Sequence, residues 1–447
     1  MNDKSEGEGL PRPLPQSRAI DPFIVMDVMS EANRREAGGE DIIHMEVGQP
    51  ATPAPLAARE RALAALTSER LGYTEALGMP ALRERIARYV KERYGVHVGP
   101  ERVIVTAGSS AGFVLAFLAI LETGAALGLP SPGYPCYRQI LKALGLRPHL
   151  IETSGQGRWM PTEADIGRLA AEEAAGLLLA SPNNPTGTMV VGSRLAEIAE
   201  ACRRHGLWLI SDEIYHGLEY DAPAETALAH SDAAIVVNSF SKYFSMTGWR
   251  IGWLVVPEAL TRTIERLAQN LYISPPAISQ VAALGAFDGL DELEEIKGRY
   301  ARNRAMLLEE LPRAGLDTIL PADGAFYLYA DISRFTGNSA AFAKAMLRDI
   351  GVAATPGIDF DPDRGGCYLR LCYAGSQEAM REAAPPDRRL AQDAVERKEA
   401  RHSAPLAISP SPATTSLCGG AKAPDRRCRF RRGPLAREPV PRAPTPR

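Results

Sequence analysis

Residues 176–187, GLLLASPNNPTG, combine the two features that decide the fold: an apolar run, and directly after it a turn rich in asparagine, proline and glycine. An apolar run of this length is typical of a strand buried on both faces. Pro185 and Gly187 favour a tight turn, from which Asn184 can present its amide. We therefore expect a core strand that emerges into a polar site at its carboxyl end.

The same pattern recurs between residues 100 and 256, where short apolar runs alternate with longer helical patterns. This alternation predicts a mainly parallel sheet covered by helices. Several of the runs end in polar or glycine-rich loops, and open α/β sheets bind ligands beyond the carboxyl ends of their strands. The seven candidate strands are RVIVTA, AALGLP, RPHLIET, GLLLAS, LWLISDE, AIVVNSF and RIGWLVVP.

The length of 447 residues exceeds that of a usual single domain. We predict a large three-layer α/β domain with a mainly parallel seven-stranded sheet at residues 56–279, and a smaller α+β domain at residues 280–395. Residues 1–55 are predicted to add an N-terminal segment to the smaller domain. Residues 396–447 are predicted to be a disordered tail, since residues 401–447 hold ten basic residues, two acidic residues and nine prolines.

The overall charge favours a small-molecule function. The chain has 51 basic and 54 acidic residues, and a net charge of -3 gives no reason to expect nucleic acid or an anionic membrane as a partner. Binding of nucleic acid by the basic tail is the less favoured alternative to simple disorder. No segment reaches ~18 uninterrupted apolar residues, and the polar start MNDKSEGEGLPRPLP does not resemble a signal peptide.

The six cysteines are scattered, with no CxxC pair and no grouping with histidine. This spacing predicts neither a disulfide framework nor a zinc site, and we expect no metal. Unpaired cysteines suit a reducing compartment. We therefore expect a cytoplasmic protein.

Lys242 lies in NSFSKYFSMTGWR, just beyond the candidate strand AAIVV. A lysine at the end of a strand is most often a solvated surface charge. Here Ser239, Ser241 and Arg250 supply two hydroxyls and a guanidinium, which together suit a phosphate dianion. An amine beside such a phosphate site indicates a phosphorylated aldehyde held as a Schiff base.

Two other loops carry candidate ligands. Asp212 follows LWLIS, and its carboxylate either caps a helix, forms an ion pair or lies opposite a pyridine nitrogen. Tyr215 can donate its phenol to a ring oxygen. In TAGSSAGF, Gly108, Ser109 and Ser110 precede an apolar helix, where they either bind phosphate through backbone N–H groups or include a simple serine cap.

Tyr134 and Arg370 each allow two interpretations. Tyr134, in SPGYPCY, either fills the core or offers a flat face on which a ring stacks. Arg370, in CYLRLCYA, alternates with leucines along a predicted strand. It lies either on the solvent face, which is the commoner case, or inside, where a guanidinium can bind a carboxylate through two hydrogen bonds.

Taken together, these motifs resemble those of the class I and II aminotransferases, pyridoxal 5′-phosphate enzymes of fold type I. The resemblance covers roughly residues 20–380, and SPNNPTG, SDEIY, SFSKYFSMTGWRIGW and YLRLCYA occur in the family's order at compatible separations. It implies a homodimer with shared active sites and amino acid and 2-oxo acid substrates. From the charge and the lack of a long apolar segment, we expect no nucleic acid and no membrane partner.

The resemblance also implies a role for each matching residue. Lys242 would form the Schiff base with pyridoxal 5′-phosphate and then move the substrate proton, and Asp212 would pair with the pyridine nitrogen. Asn184 and Tyr215 would hydrogen-bond the phenolic oxygen, and Tyr134 would stack on the ring. The phosphate positions are Gly108, Ser109, Ser110, Ser239, Ser241, Arg250 and, from a neighbouring subunit, Tyr73. The substrate α-carboxylate would be held by Arg370 and the Gly48 backbone, and Asn184 would also belong to the substrate-binding residues.

This sequence departs from the family pattern at two places. No basic residue lies near Ser110 to meet the distal carboxylate of aspartate, so a neutral amino acid is at least as good a candidate substrate. The last helix, QEAMREAA, runs into Pro385 and Pro386, which end it early.

The sequence therefore predicts a pyridoxal-phosphate-dependent aminotransferase that moves an amino group from an L-amino acid to a 2-oxo acid. One alternative uses the same site for elimination, as a C–S lyase or an aminocyclopropane-carboxylate-synthase-like enzyme. A second alternative is a non-catalytic regulatory protein on the same fold.

Overall fold

The computed structural model describes residues 20–320 and 322–383. The first elements are helix α1 (Ile24–Ala37) and strand β1 (Ile43–His44). The residue before α1, Phe23, does not cap the helix with its side chain. The buried Asp359 takes this role: it accepts hydrogen bonds from the N–H groups of Ile24 and Val25, at 3.3 and 3.2 Å. A carboxylate there complements the positive end of the helix dipole. The start of α1 is thus fixed by a residue 335 positions later in the chain.

A seven-stranded sheet forms the centre of the fold. Its strands are β2 (Val103–Thr106), β3 (Ala126–Ser131), β4 (Arg147–Glu152), β5 (Ala174–Ala180), β6 (Trp208–Asp212), β7 (Ile235–Ser239) and β8 (Gly252–Val255). They lie in the order β2-β8-β7-β6-β5-β3-β4. β8 pairs antiparallel with β2 and β7, and the other pairs are parallel. The predicted α/β class and mainly parallel sheet are confirmed.

Helices cover both faces of this sheet. Alternate residues of β5 belong to opposite apolar clusters: Leu178 packs in one, and Leu177 and Leu179 pack in the other. This is the two-residue period of a strand buried on both sides. The helices before and between these strands are α2 (Leu56–Ser68), α3 (Pro80–Tyr94), α4 (Gly108–Ile120), α5 (Pro135–Ala143), α6 (Glu163–Ala171) and α7 (Gly192–His205).

The rest of the described chain mixes helices with short strands. The elements are α8 (Glu258–Leu271), α9 (Ala277–Ala286), α10 (Leu290–Arg313), β9 (Tyr327–Asp331), α11 (Ser339–Ile350), β10 (Val352–Ala353), β11 (Thr355–Pro356), β12 (Tyr368–Cys372) and α12 (Gln377–Ala383). β12 lies between β11 and β9 in an antiparallel sheet, and β1 pairs with β10 in parallel. Five short 3-10 segments lie at Pro100–Arg102, Ala227–Ala229, Thr247–Trp249, Gly357–Asp359 and Gly365–Cys367.

Some predictions from the sequence fall outside this description. The tail at residues 396–447 and the two prolines after α12 lie beyond the described residues. The domain boundaries at residues 55, 279 and 395 stay predictions. Among the helices of residues 20–320 and 322–383, none is long and apolar enough to cross a membrane.

Gly217 provides a test of the packing beneath the site. Its φ is +104°, and a Cβ there would lie 2.3 Å from Cγ of Tyr243. Gly217→Ala should therefore lower the free energy of unfolding by more than about 2 kcal/mol, because strain and overlap add. The measurement is urea unfolding.

Gly206→Ala is the matched control, since Gly206 also has a positive φ, of +67°, but no atom within 4 Å of the added Cβ. Gly206→Ala should lower the free energy of unfolding by about 1 kcal/mol, because it adds backbone strain but no overlap. Equal losses in the two variants would show that Tyr243 does not constrain this turn.

Candidate active site

A cavity of about 520 Å³ lies at the carboxyl ends of β5, β6 and β7. Ala180 and Asp212 end two of these strands, and Lys242 follows the third. Eleven of the fourteen predicted site residues line it: Gly48, Ser109, Ser110, Tyr134, Asn184, Asp212, Tyr215, Ser241, Lys242, Arg250 and Arg370. The fold thus brings together residues that are as far as 322 positions apart, from 48 to 370.

The other three predicted residues do not line the cavity. Gly108 has a φ of +76°, and a Cβ there would lie 2.4 Å from Nη2 of Arg250, so this glycine lets the guanidinium approach the loop. The buried Ser239 hydroxyl donates to Ser241 Oγ at 2.9 Å and lies behind it. Tyr73 is 84% exposed. The cofactor-binding roles of these three residues stay predictions.

Lys242 is half-buried on the cavity wall. Its Nζ donates to the backbone oxygen of Gly48 at 2.5 Å. The pKa of Lys242 is lowered from 10.5 to about 8, mainly because the amine is withdrawn from water. The charges of Arg370 and Arg250 act in the same direction, and Cys372 and Asp212 oppose them. A fraction of the amine is therefore neutral near physiological pH, which is the state required of a nucleophile or base.

Asp212 is buried, at 3% exposure. Its Oδ1 accepts from the N–H of Ile214 at 3.1 Å, and its Oδ2 accepts from the hydroxyl of Tyr137. Burial raises the pKa of Asp212 from 3.8 to about 6, and the two hydrogen bonds and the charge of Lys242 oppose this rise. The carboxylate is therefore held ionised at neutral pH by a small set of neighbours.

Arg370 is one of the largest fully buried side chains, so it lies inside and not on the solvent face. Its Nη1 donates to Asn184 Oδ1 at 2.9 Å, and its Nη2 donates to the backbone oxygen of Glu46 and to the hydroxyl of Thr355. These three acceptors are uncharged, so they do not neutralise the guanidinium. Its Nε has no hydrogen-bond partner among the residues that the structure describes, and a buried donor in this state favours an anionic ligand.

Aromatic rings enclose Arg370 and Tyr215. The guanidinium lies 4.5 Å from the ring centre of Tyr327 and 4.7 Å from that of Phe360. The hydroxyls of Tyr215 and Tyr327 are 2.7 Å apart. A Cβ at position 48 would overlap the Tyr327 hydroxyl at 1.8 Å, which explains the glycine there. Tyr327 thus contacts both predicted carboxylate-binding positions.

Several hydrogen-bond donors lie together at the start of α4. The helix begins at Gly108, and no serine side chain caps it, so the cap interpretation of TAGSS is wrong. Ser109 and Ser110 instead face the cavity. Arg250 Nη1 reaches Ser241 Oγ at 3.5 Å. Backbone N–H groups, hydroxyls and a guanidinium together form a site suited to a phosphate.

An apolar wall closes another side of the cavity. Phe23, Val25, Met26 and Met29, from α1 and the residue before it, line this side. These residues, and likewise Tyr137 and Tyr327, are not predicted from the sequence. The spacing of Met26 and Met29 shows that they share a helix face, and Tyr137 follows Tyr134 by three residues on α5. No local signal shows that these faces meet the cavity.

In the part of the chain that the structure describes, no group of three or more His, Cys, Asp or Glu side chains is placed to hold a metal ion.

Comparison with known proteins identifies the family. The family model described as aminotransferase class I and II matches residues 40–385. The chain belongs to the class I and II aminotransferases. It is therefore a transaminase, and the family predicted from its motifs is confirmed.

Individual aminotransferases are similar over most of their length. The valine–pyruvate aminotransferase of Mycobacterium tuberculosis is 46% identical over 368 residues, which cover 81% of this chain and 95% of the relative. The crystal structure of an aminotransferase from Mycobacterium tuberculosis has a TM-score of 0.83 at 44% identity and covers 87% of this chain and 100% of its own. Thermus thermophilus aspartate aminotransferase with maleate has a TM-score of 0.80 at 30% identity, with coverages of 85% and 100%. The predicted fold type I architecture is thereby confirmed.

The raised pKa of Asp212 predicts a pH-dependent effect on the stability of this aminotransferase. Because its folded-state pKa of about 6 exceeds the ordinary 3.8, the folded state binds the proton more tightly, and ionisation destabilises the fold as the pH rises from 4 to 6. Asp212→Asn should therefore raise the free energy of unfolding of the cofactor-free protein by about 1–3 kcal/mol at pH 8. This gain should shrink toward zero as the pH falls to 4.

Urea unfolding at pH 8, 6 and 4 measures the effect. Asp221→Asn is the control, because Asp221 is largely exposed and pairs with Arg304 at the surface. A gain that is the same at all three pH values would contradict the assigned cause.

Proposed function

We propose that this aminotransferase uses pyridoxal 5′-phosphate, attached through Lys242, to move an amino group from a neutral L-amino acid to a 2-oxo acid. The observation that carries the proposal is the shared cavity of Lys242, Asp212 and Arg370. Each of the three groups matches one requirement of this chemistry. The amine of lowered pKa suits a nucleophile and base, the buried carboxylate suits a protonated ring nitrogen, and the guanidinium suits a substrate carboxylate.

The residues of the cavity fit the cofactor. Ser109, Ser110, Ser241 and Arg250 supply donors for its phosphate, and the close approach of Arg250 to Gly108 leaves no room for a side chain at position 108. Asp212 supplies the acceptor for a protonated ring nitrogen. Tyr134 offers an aromatic face on the cavity wall.

When bound, the cofactor supplies an aldehyde that condenses with amines and a protonated ring that accepts electron density as the Cα proton leaves. Lys242 can take up and release that proton at Nζ near neutral pH, since its pKa is about 8. Asp212, ionised above about pH 6, would keep the ring nitrogen protonated. Asn184 orients Arg370, and Tyr215 offers its hydroxyl as a hydrogen-bond donor beside Lys242.

The substrate carboxylate is assigned to Arg370. Its Nε is free to donate, and its Nη groups already hold uncharged acceptors that a carboxylate can replace or join. A planar guanidinium binds a carboxylate through two parallel hydrogen bonds. The backbone at Gly48, in contact with Lys242 Nζ, lies on the same side of the site.

The apolar wall supports a neutral substrate side chain. Phe23, Val25, Met26 and Met29 offer no charge to a distal carboxylate. The relative from Mycobacterium tuberculosis is named a valine–pyruvate aminotransferase. We infer that an aliphatic amino acid such as valine is a donor for this chain.

Assembly and location are also proposed. Tyr73 is exposed and lies outside the cavity of its own chain, as expected for a residue that completes the site of a second subunit. This supports a homodimer with shared sites. Cys136, Cys202, Cys367 and Cys372 are free, which supports a reducing compartment and hence the cytoplasm.

A substrate panel tests the proposed reaction. With pyridoxal 5′-phosphate and pyruvate present, valine should be converted to its 2-oxo acid, and alanine should form in equal amount. Aspartate should react at least tenfold less well in kcat/KM, because its second carboxylate would be buried unpaired. Release of ammonia or thiol without formation of alanine would favour elimination, and no turnover with any donor would favour a non-catalytic protein.

Lys242→Ala is the matched variant for this panel. Borohydride reduction followed by peptide mass mapping should find the cofactor on Lys242 in the wild type and nowhere in the variant. Lys297→Ala, on α10, should keep the label. A label that survives in Lys242→Ala would contradict the assignment.

Arg370→Lys should raise KM for the amino donor by about 10- to 100-fold with a smaller effect on kcat, since an ammonium cannot reproduce the paired hydrogen bonds. Steady-state kinetics measures both constants. Arg304→Lys, at an ion pair with Asp221, is the control. An unchanged KM would exclude Arg370 as the carboxylate ligand.

A further inference from the structure

The Tyr137 hydroxyl faces the proposed cofactor site but has no part in the proposed function. Tyr137 lies on α5 and is 5% exposed, and its hydroxyl donates to Oδ2 of Asp212. The N–H of Ile214 donates to the other oxygen. Since each carboxylate oxygen accepts more than one hydrogen bond, Asp212 keeps acceptor capacity for a third donor.

We propose that Tyr137 is a positioning residue that keeps Asp212 ionised and oriented toward the ring nitrogen of the cofactor. The proposal rests on the proposed function, because it requires a ring nitrogen at that place. It adds a residue that acts on the cofactor only through Asp212.

The phenol of Tyr137 is fixed by its aromatic neighbours. Its ring packs edge to face with Phe113 of α4, at 5.0 Å and 70°, and with Tyr134, at 5.2 Å and 79°. A ring held on two sides cannot follow a moving partner. The hydroxyl is therefore held at a fixed place beside the carboxylate.

The charges around Asp212 make this hydrogen bond consequential. The titratable groups that face Asp212 are Tyr137 and Tyr134 beside it, Lys242 after β7, and Glu213, the next residue in the chain. Burial raises the pKa of Asp212, and the hydrogen bond from Tyr137 is the largest effect that opposes it. Burial also raises the pKa of Tyr137 well above 10, so the phenol remains a donor throughout the physiological range.

Tyr137→Phe tests the proposal, because it removes the hydroxyl and keeps the ring. The probe is pyridoxamine 5′-phosphate, which carries the ring and phosphate but no aldehyde, so its binding does not require reaction with Lys242. Its dissociation constant is measured from pH 5 to pH 9 by fluorescence. The phosphate of the probe titrates in every variant alike, so only differences between variants are interpreted.

Binding of the probe should weaken as the pH falls and Asp212 takes up a proton. Loss of the hydroxyl should raise the pH at which this weakening begins by about one unit. The dissociation constant should therefore rise about fivefold at pH 6 and less than twofold at pH 9, where Asp212 is ionised in both proteins. Tyr329→Phe is the control, since Tyr329 is buried and its hydroxyl has no hydrogen-bond partner within residues 20–320 and 322–383. It should bind the probe as the wild type does.

A double variant separates positioning from packing. In an Asp212→Asn background there is no charge to hold, so adding Tyr137→Phe should change the affinity less than twofold at any pH. An equal loss at all pH values in both backgrounds would mean that Tyr137 only packs, and would overturn the proposal. Unchanged binding in Tyr137→Phe would also overturn it, whereas a wild type that fails to bind the probe would mark the failure of the proposed function itself.

Discussion

The site depends on keeping three ionisable groups largely out of water. Asp212, Lys242 and Arg370 line one cavity. Burial shifts the pKa of Asp212 and that of Lys242 toward neutrality. Removal of a charge from water is costly unless other groups replace the lost hydration. The structure replaces it unevenly: Asp212 has two donors, Arg370 has uncharged acceptors, and Lys242 has a backbone oxygen. Because protein groups replace the lost hydration only in part, these three groups keep the capacity to bind a ligand or to exchange a proton.

The central sheet makes this arrangement possible. β5, β6 and β7 are parallel neighbours, so their carboxyl ends lie at one edge, where Ala180, Asp212 and Lys242 follow. Each strand is buried on both faces, which prevents it from shifting along its neighbours. The large apolar core therefore offsets the cost of the buried charges, and the strand ends set the distances between them.

The sequence carries enough information for this part of the site, because the signal is local. An apolar run followed by Asp212 or by NSFSK shows both the strand and its end, and the neighbouring strands place these ends together. The same reasoning fails where a side chain depends on distant packing. Ser239 has the expected position on its strand, but its hydroxyl lies behind Ser241. Tyr137 and Tyr327 reach the site through contacts of a helix and of the smaller sheet, and no neighbouring sequence motif predicts these contacts.

The apolar wall also depends on contacts between distant parts of the chain, which the sequence does not predict. Asp359 caps α1, while the next residue, Phe360, packs its ring against the guanidinium of Arg370. Arg138 donates to the backbone oxygens of both residues, at 2.7 and 3.0 Å, and so holds this pair against α5. The segment between β11 and β12 therefore contacts both the start of α1, which carries the apolar wall, and the guanidinium of Arg370. Under the proposed function, a change at Asp359 or Phe360 should therefore alter the binding of the two ends of the substrate together.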